Sequence, residues 1–205
     1  MSDLIHQRLL TQLSGLRYLS HVVTHNGAQT IERQPPAHLL RYLSRAVAGQ
    51  QLSTTAARTI WARVDQLCEI HGPLELLLVE EHHQRLRSCG LSNAKVKTLL
   101  GVNQALQTGV VAADIHHSQD ADYIVSQLVQ LWGIGRWTAE MALIFFFAMP
   151  DIWSEGDASL VRGLAQLAEK EDVAPETIVK AAAPYRSYLA LHIWAMLDAE
   201  LLKEA

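Results

Sequence analysis

The sequence is poor in cysteine and carries no excess of positive charge. It has two cysteines, Cys68 and Cys89, among 205 residues. Two thiols are too few for a four-cysteine iron–sulfur cluster, so we expect free, buried thiols. Lysine and arginine number 17 against 21 acidic residues, which gives a formal net charge of −4. This balance excludes a surface that is basic throughout, but it leaves room for a local basic strip.

Long apolar stretches are also missing. The longest, Met141–Pro150, is too short to cross a bilayer, and the opening residues MSDLIHQRLL lack the apolar core of a secretory signal. We therefore expect a soluble, intracellular protein that is neither secreted nor bound to a membrane. The ten histidines include the adjacent pairs His82-His83 and His116-His117, which lack the spacing of zinc ligands. No metal site built from side chains is expected.

Helical patterns run through the whole chain. Apolar residues recur at steps of three and four, and no segment alternates with a period of two. Ser53 stands where the N-cap of a helix is expected, as does Ser92 or Asn93 further along. Hydrophobic residues make up 49% of the chain, enough for a substantial core. Short helices joined by tight turns predict an all-α protein.

A glycine corner precedes the most apolar helix. The stretch reads LWGIGRWTAEMALIFFFAMP, and residues 123–148 are predicted to form two helices joined at Gly133 and Gly135. Glycine allows close approach to the backbone, and unpaired amides at the start of a helix bind phosphate oxygens. Arg136 and Thr138 would add a charge and a hydroxyl. Taken alone, Gly-x-Gly is equally compatible with an ordinary turn, whereas L-x-G-I-G-x-x-T-A is typical of a DNA-binding helix-hairpin-helix.

Four stretches together resemble the helix-hairpin-helix DNA glycosylases, specifically the alkylpurine branch of type II 3-methyladenine DNA glycosylases. They are AGQQLS followed by Ala56-Ala57, LWGIGRWTA, DIWSEGD and PYRSYLALHIW. The resemblance implies an all-α, two-lobed fold with the active-site cleft between the lobes, formed by a single glycosylase unit over 1–205. One lobe would span about 37–149, and the other about 1–36 plus 150–205.

Asp157 has the position of the aspartate that follows the hairpin in this family. The resemblance implies that it is the catalytic residue. Its carboxylate would stabilise the positive charge that develops on the deoxyribose as the base departs. The string Asp-Ala-Ser-Leu also suits an N-cap, and the two roles are compatible. Because an alkylated purine is cationic and leaves readily, a single acidic residue suffices.

The damaged base has to leave the duplex to reach such a carboxylate. By resemblance, Trp137 and Trp194 line the base pocket, and Trp153 is a third candidate. Tryptophan on an apolar helix face is also common in protein cores, so both interpretations stay open for each of them.

Further DNA contacts are implied less specifically. The turn before Lys95 resembles the loop that inserts a wedge into the duplex, with Asn93 or Leu91 as the wedge residue. Lys95 and Lys97 would contact the DNA backbone, although ordinary surface lysines are the alternative. Gln50 and Gln51 would border the cleft or cap a helix.

The reaction type follows from one comparison within the superfamily. Bifunctional members carry a nucleophilic lysine two residues after the second hairpin glycine, where this chain has Trp137. The resemblance therefore implies a monofunctional hydrolase without AP lyase activity. It would excise 3-methyladenine and 7-methylguanine from double-stranded DNA in base excision repair. A non-catalytic DNA-binding protein, or a glycosylase for deaminated or ring-fused purines, is the alternative.

The resemblance also implies a monomer that needs no cofactor and has no iron–sulfur cluster. One monovalent cation on the hairpin carbonyls would be compatible with the family. The expected location is the cytoplasm or nucleoid of a bacterium, or the nucleus of a eukaryote.

Overall fold

The computed structural model describes residues 2–202, and no strand occurs among them, so the predicted all-α fold class is confirmed. Three short 3-10 turns lie between the helices. The twelve helices of this described part are α1 Ser2–Gln12, α2 Arg17–Asn26, α3 Leu39–Gly49, α4 Thr54–His71, α5 Leu74–Leu77, α6 His83–Ser88, α7 Asn93–Thr108, α8 Ala121–Val129, α9 Arg136–Phe145, α10 Ala158–Glu171, α11 Pro175–Ala181 and α12 Arg186–Asp198.

Side-chain caps set the start of several helices. The Ser53 hydroxyl accepts a hydrogen bond from the Ala56 backbone N–H, and that of Ser92 accepts one from the Lys95 N–H. Ser92 rather than Asn93 is therefore the N-cap of α7. Asp120 caps α8 in the same manner. Each cap satisfies one of the backbone donors that a helix leaves unpaired in its first turn.

The second helix of the hairpin ends earlier than 148. α9 stops at Phe145, and Ala148 has a φ of 54°, in the left-handed region. A residue in that conformation ends a right-handed helix. The chain turns there before Pro150, which cannot supply a backbone N–H.

The chain divides into two compact units. Unit 1 comprises residues 2–33 and 148–202 of the described chain, and unit 2 comprises residues 34–147. In unit 1, α10 packs against α2, α11 and α12, and α1 packs against α2. Their apolar faces form one core cluster that includes Leu9, Leu13, Leu19, Leu160, Leu167, Leu189 and Ile193.

Unit 2 is organised around α3, which packs against α4, α7 and α9, while α8 packs against α9. Leu43 and Val47 of α3 are buried, as are Leu99 of α7 and Ile144 of α9. This arrangement fixes the hairpin of α8 and α9 to the unit core. None of the helices in the described chain is long and apolar enough to span a bilayer.

Candidate functional site

The two glycines of the hairpin corner differ in what they do. Gly133 has a φ of 85°, and a Cβ on it would lie 2.2 Å from Thr98 Oγ1 of α7. Gly135 has a φ of −88°, and nothing lies within 4 Å of where its Cβ would be. Gly133 is thus required for the docking of α7 on the corner. Gly135 leaves an open surface that a ligand can approach.

The corner exposes backbone donors. The Ile134 N–H donates to the Leu131 carbonyl at 3.0 Å and closes the turn, with the Ile134 side chain buried. The N–H groups of Gly133 and Gly135 have no hydrogen-bond partner within residues 2–202, and both residues are exposed. Together with the first turn of α9, these amides form a site suited to an anion such as a phosphate.

Gln50 fastens the corner from the end of α3. Its Nε2 donates to the Gly133 carbonyl at 3.2 Å and to Thr138 Oγ1 at 3.3 Å. Thr138 is buried, so its hydroxyl supports the corner from inside. Gln51 is exposed and has a φ of 58°. Of the two glutamines, Gln50 braces the hairpin, whereas Gln51 is exposed beside it in the chain.

Lys95 holds the chain segment that carries Gln50. Its Nζ donates to the carbonyls of Ala48 and Gln50 at 2.8 and 2.9 Å. Partial burial lowers the pKa of Lys95 below its ordinary value. An ammonium group has three donors, so one N–H is left for a phosphate.

Arg136 begins α9, and the two wedge candidates lie at or just before the start of α7. Arg136 Nε donates to Glu140 Oε1 at 2.8 Å while its side chain stays 72% exposed, so the guanidinium still faces solvent. Leu91 is fully buried, which does not suit insertion into a duplex. Asn93 is exposed at the start of α7 and stays the wedge candidate of the two.

Asp157 caps α10, as the Asp-Ala-Ser-Leu string predicted. Its Oδ1 accepts the Leu160 N–H at 2.8 Å and lies 3.4 Å from the indole donor Nε1 of Trp194. The residue is 9% exposed. Two N–H donors aimed at one oxygen hold the carboxylate in a fixed orientation, which is what charge stabilisation in a reaction requires.

The three tryptophans have different environments. Trp194 and Trp153 are partly buried against the core of unit 1, and Trp153 also lines a cavity of about 740 Å³ beside α10 and α11. Trp137 is 43% exposed in the first turn of α9 in unit 2. The structure therefore brings Trp194 and Asp157 together within unit 1.

An ion pair anchors the start of α12. The guanidinium of Arg186 contacts both carboxylate oxygens of Asp151 at 2.7 Å, and the Arg186 N–H donates to Oδ1 at 3.2 Å. These hydrogen bonds lower the pKa of Asp151 and raise that of Arg186. The Arg186 side chain is therefore held in an ion pair within unit 1.

Sequence reasoning missed Phe145. It is 38% exposed at the end of α9, the helix whose first turn carries Trp137. Phe145 also lines a cavity of about 650 Å³, with Tyr42 and Arg45 of α3 in its wall. Burial raises the pKa of Tyr42, whose hydroxyl donates to the Met141 carbonyl. Such a volume suits a small organic ligand. The exposed aromatic could be recognised only once α3 was in place.

Within residues 2–202, no group of three or more histidine, cysteine or acidic side chains is placed to hold a metal ion. The carbonyls of Leu131 and Gly133 each accept one N–H donor. A carbonyl oxygen has two lone pairs, so both oxygens are compatible with an additional monovalent cation. Such a cation would add positive potential next to the hairpin amides.

Comparison with known proteins identifies 3-methyladenine DNA glycosylases among the relatives. The chain is 28% identical over 195 residues to DNA-3-methyladenine glycosylase 1 of Schizosaccharomyces pombe, covering 89% of this chain and 83% of the relative. The crystal structure of a DNA-3-methyladenine glycosidase from Bacillus halodurans superposes with a TM-score of 0.73 at 27% identity, over 91% of this chain and 87% of the other. A 3-methyladenine DNA glycosylase from S. pombe, in complex with abasic DNA, gives a TM-score of 0.74 at 27% identity, over 91% and 95%. No family model matches the chain.

Proposed function

Because the chain belongs to the helix-hairpin-helix family of alkylpurine DNA glycosylases, we propose that it excises alkylated purines from double-stranded DNA by hydrolysis. A relative of known structure is held in complex with abasic DNA, the product of such a reaction. The leading substrates are 3-methyladenine and 7-methylguanine, whose positive charge makes the base a good leaving group.

The observation that carries the proposal is the fixed carboxylate of Asp157. As the bond between C1′ and the base nitrogen breaks, its electrons neutralise the cationic purine and positive charge develops on the deoxyribose. A carboxylate oriented by Leu160 and Trp194 stabilises that charge without further reorganisation. Water then adds to C1′ and releases a proton. The products are a free base and an abasic site.

Aromatic side chains supply the contacts to the extruded base. We assign this role to Trp194 and Trp153, which lie partly buried on the core of unit 1, and to Trp137, which is exposed on α9. A cation over an aromatic face gains about 0.5–2 kcal/mol, which offsets part of the cost of unstacking.

The hairpin binds the strand that contains the lesion. The amides of Gly133 and Gly135 receive a phosphate, and Arg136, with its guanidinium facing solvent, adds charge. Lys95 contributes its third donor, and Asn93 fills the space that the base vacates. Phosphate contacts of this kind position the protein on any duplex and carry no sequence information.

The test is release of free base from methylated duplex DNA by the wild-type protein and by Asp157→Asn. Asparagine keeps the cap of α10 but loses the negative charge, so we expect base release to fall by about 10²-fold or more while the fold is retained. Asp120→Asn is the matched control, because Asp120 caps α8 with the same geometry. It should leave base release unchanged.

Three outcomes would contradict the proposed function or the role of Asp157 in it. A wild-type protein that binds duplex DNA and frees no base would be a non-catalytic binding protein. Equal base release by Asp157→Asn and wild type would remove Asp157 from the reaction. Release of deaminated or ring-fused purines, in place of methylated ones, would replace the proposed substrates.

A further inference from the structure

A tryptophan and a lysine form a pair at the hairpin corner. Trp132 precedes Gly133 and is 56% exposed, although tryptophan is normally a largely buried residue. The ammonium of Lys97 on α7 lies over its ring, with Nζ 4.6 Å from the ring centroid. Lys97 itself is exposed. We propose that Trp132 positions Lys97 for contact with a DNA phosphate next to the one held by the hairpin amides.

The docking of α7 fixes where this charge stands. Thr98, the neighbour of Lys97, fills the space that a side chain on Gly133 would take, since a Cβ there would lie 2.2 Å from its Oγ1. The pairs Lys97 over Trp132 and Thr98 against Gly133 are therefore consecutive on both segments. Two adjacent residues of α7 therefore contact two adjacent residues of the corner, and the first of these contacts places the Lys97 ammonium over the Trp132 ring.

The other two cations of the corner, Lys95 and Arg136, are each partly engaged by contacts within the protein. The Lys95 ammonium donates to the carbonyls of Ala48 and Gln50, and the Arg136 guanidinium pairs with Glu140. Lys97 has no ion-pair partner among residues 2–202. The protein has a net charge of −4, which opposes DNA binding. A lysine held in place at the proposed phosphate site would supply positive charge where the DNA backbone approaches.

The ring is suited to this task. The attraction of a cation to an exposed indole face is weak, but it is enough to bias a flexible lysine toward one position while leaving its donors free. Restricting the side chain before binding lowers the entropy that is lost when the ammonium meets a phosphate. Trp132 is accordingly a positioning residue, and Lys97 makes the contact.

The experiment measures the dissociation constant for an abasic-site duplex over a range of salt concentrations. Each phosphate neutralised contributes about 0.9 to the slope of log K against log salt. We expect Lys97→Ala to reduce the slope by about that amount. Trp132→Ala should weaken binding at low salt, and Trp132→Phe, which keeps an aromatic face, should restore most of the affinity. Lys170→Ala is the control, because that lysine also lies over an aromatic ring, that of Tyr18 in unit 1.

A double-mutant cycle separates positioning from a structural role. If Trp132 acts through Lys97, Trp132→Ala should have no further effect in the Lys97→Ala background. A loss that persists there, or a slope change in Lys97→Ala no larger than in Lys170→Ala, would overturn the proposal. The inference rests on the proposed function, yet it can fail alone. A wild-type protein that binds the duplex and releases base while Lys97→Ala keeps the full slope refutes only the role of Lys97.

Discussion

Two N–H donors converge on one oxygen of Asp157, from the Leu160 backbone and the Trp194 indole. A single side chain thereby joins helix capping to the proposed chemistry. The cap explains why the carboxylate has a fixed direction, and the indole places an aromatic ring beside it. We propose that the fixed orientation of Asp157 lets this single carboxylate stabilise the charge on the deoxyribose sufficiently when the leaving group is a cationic base.

His192 is the residue whose titration should govern the stability of unit 1 in acid. It is 1% exposed, its ring lies 6.2 Å from that of His6, and its Nδ1 lies 3.4 Å from Asn26 Nδ2. Burial, reinforced by His6, lowers the pKa of His192 to about 4. The folded state thus favours the neutral ring, whereas the unfolded chain takes up a proton near pH 6.5.

We expect the free energy of unfolding to decrease as the pH falls from about 6.5 to about 4, by roughly 3 kcal/mol in all from this group. Above pH 6.5 the ring is neutral in both states and contributes no pH dependence. Urea unfolding at several pH values would measure the effect. His192→Gln should flatten the profile in this range, and the exposed His117→Gln should not. A wild-type profile that is flat between pH 6.5 and 4 would contradict the assignment.

Among the structural elements, the hairpin corner contains two glycines with different roles. We expect Gly133→Ala to lower the free energy of unfolding by about 2–4 kcal/mol. The positive φ disfavours alanine and the new Cβ collides with Thr98. The free energy of unfolding of Gly135→Ala should stay within about 0.5 kcal/mol of the wild-type value, because the φ of Gly135 is ordinary and its surroundings are open.

DNA binding provides a second test of the roles of Gly133 and Gly135. Gly135→Leu should weaken binding to undamaged and abasic duplexes by similar factors, because it covers a phosphate site and not a base pocket. Thermal unfolding and duplex titration together test both positions. Equal stability loss at the two glycines, or a loss at Gly135 confined to damaged DNA, would be evidence against this division.

For the molecule as a whole, the reaction should stop at the abasic site. The residue two places after Gly135 is Trp137, which offers no amine to attack the sugar. We therefore expect no covalent protein–DNA adduct when borohydride is added during base release from methylated DNA, and strand breaks only after alkali. Denaturing gels of protein and of labelled DNA measure both. An adduct that forms only with borohydride would show a Schiff base and a bifunctional enzyme.

The helical class, the caps at Ser53 and Asp157 and the glycine corner could be predicted from the sequence, because helix periodicity, capping and turn geometry are set by residues close together in the chain. The sequence also indicated the family, which the relatives confirmed. Boundaries near Ala148 were misjudged, since a left-handed residue other than glycine gives no local signal.

Which polar groups meet could not be predicted, because it depends on how the helices pack. Lys95 on distant carbonyls, Arg186 on Asp151 and Lys97 over Trp132 each join residues more than thirty positions apart. The same packing buries Leu91 and exposes Phe145. Such pairings depend on how helices dock, and docking is set by the fit of whole helix faces that no local pattern encodes.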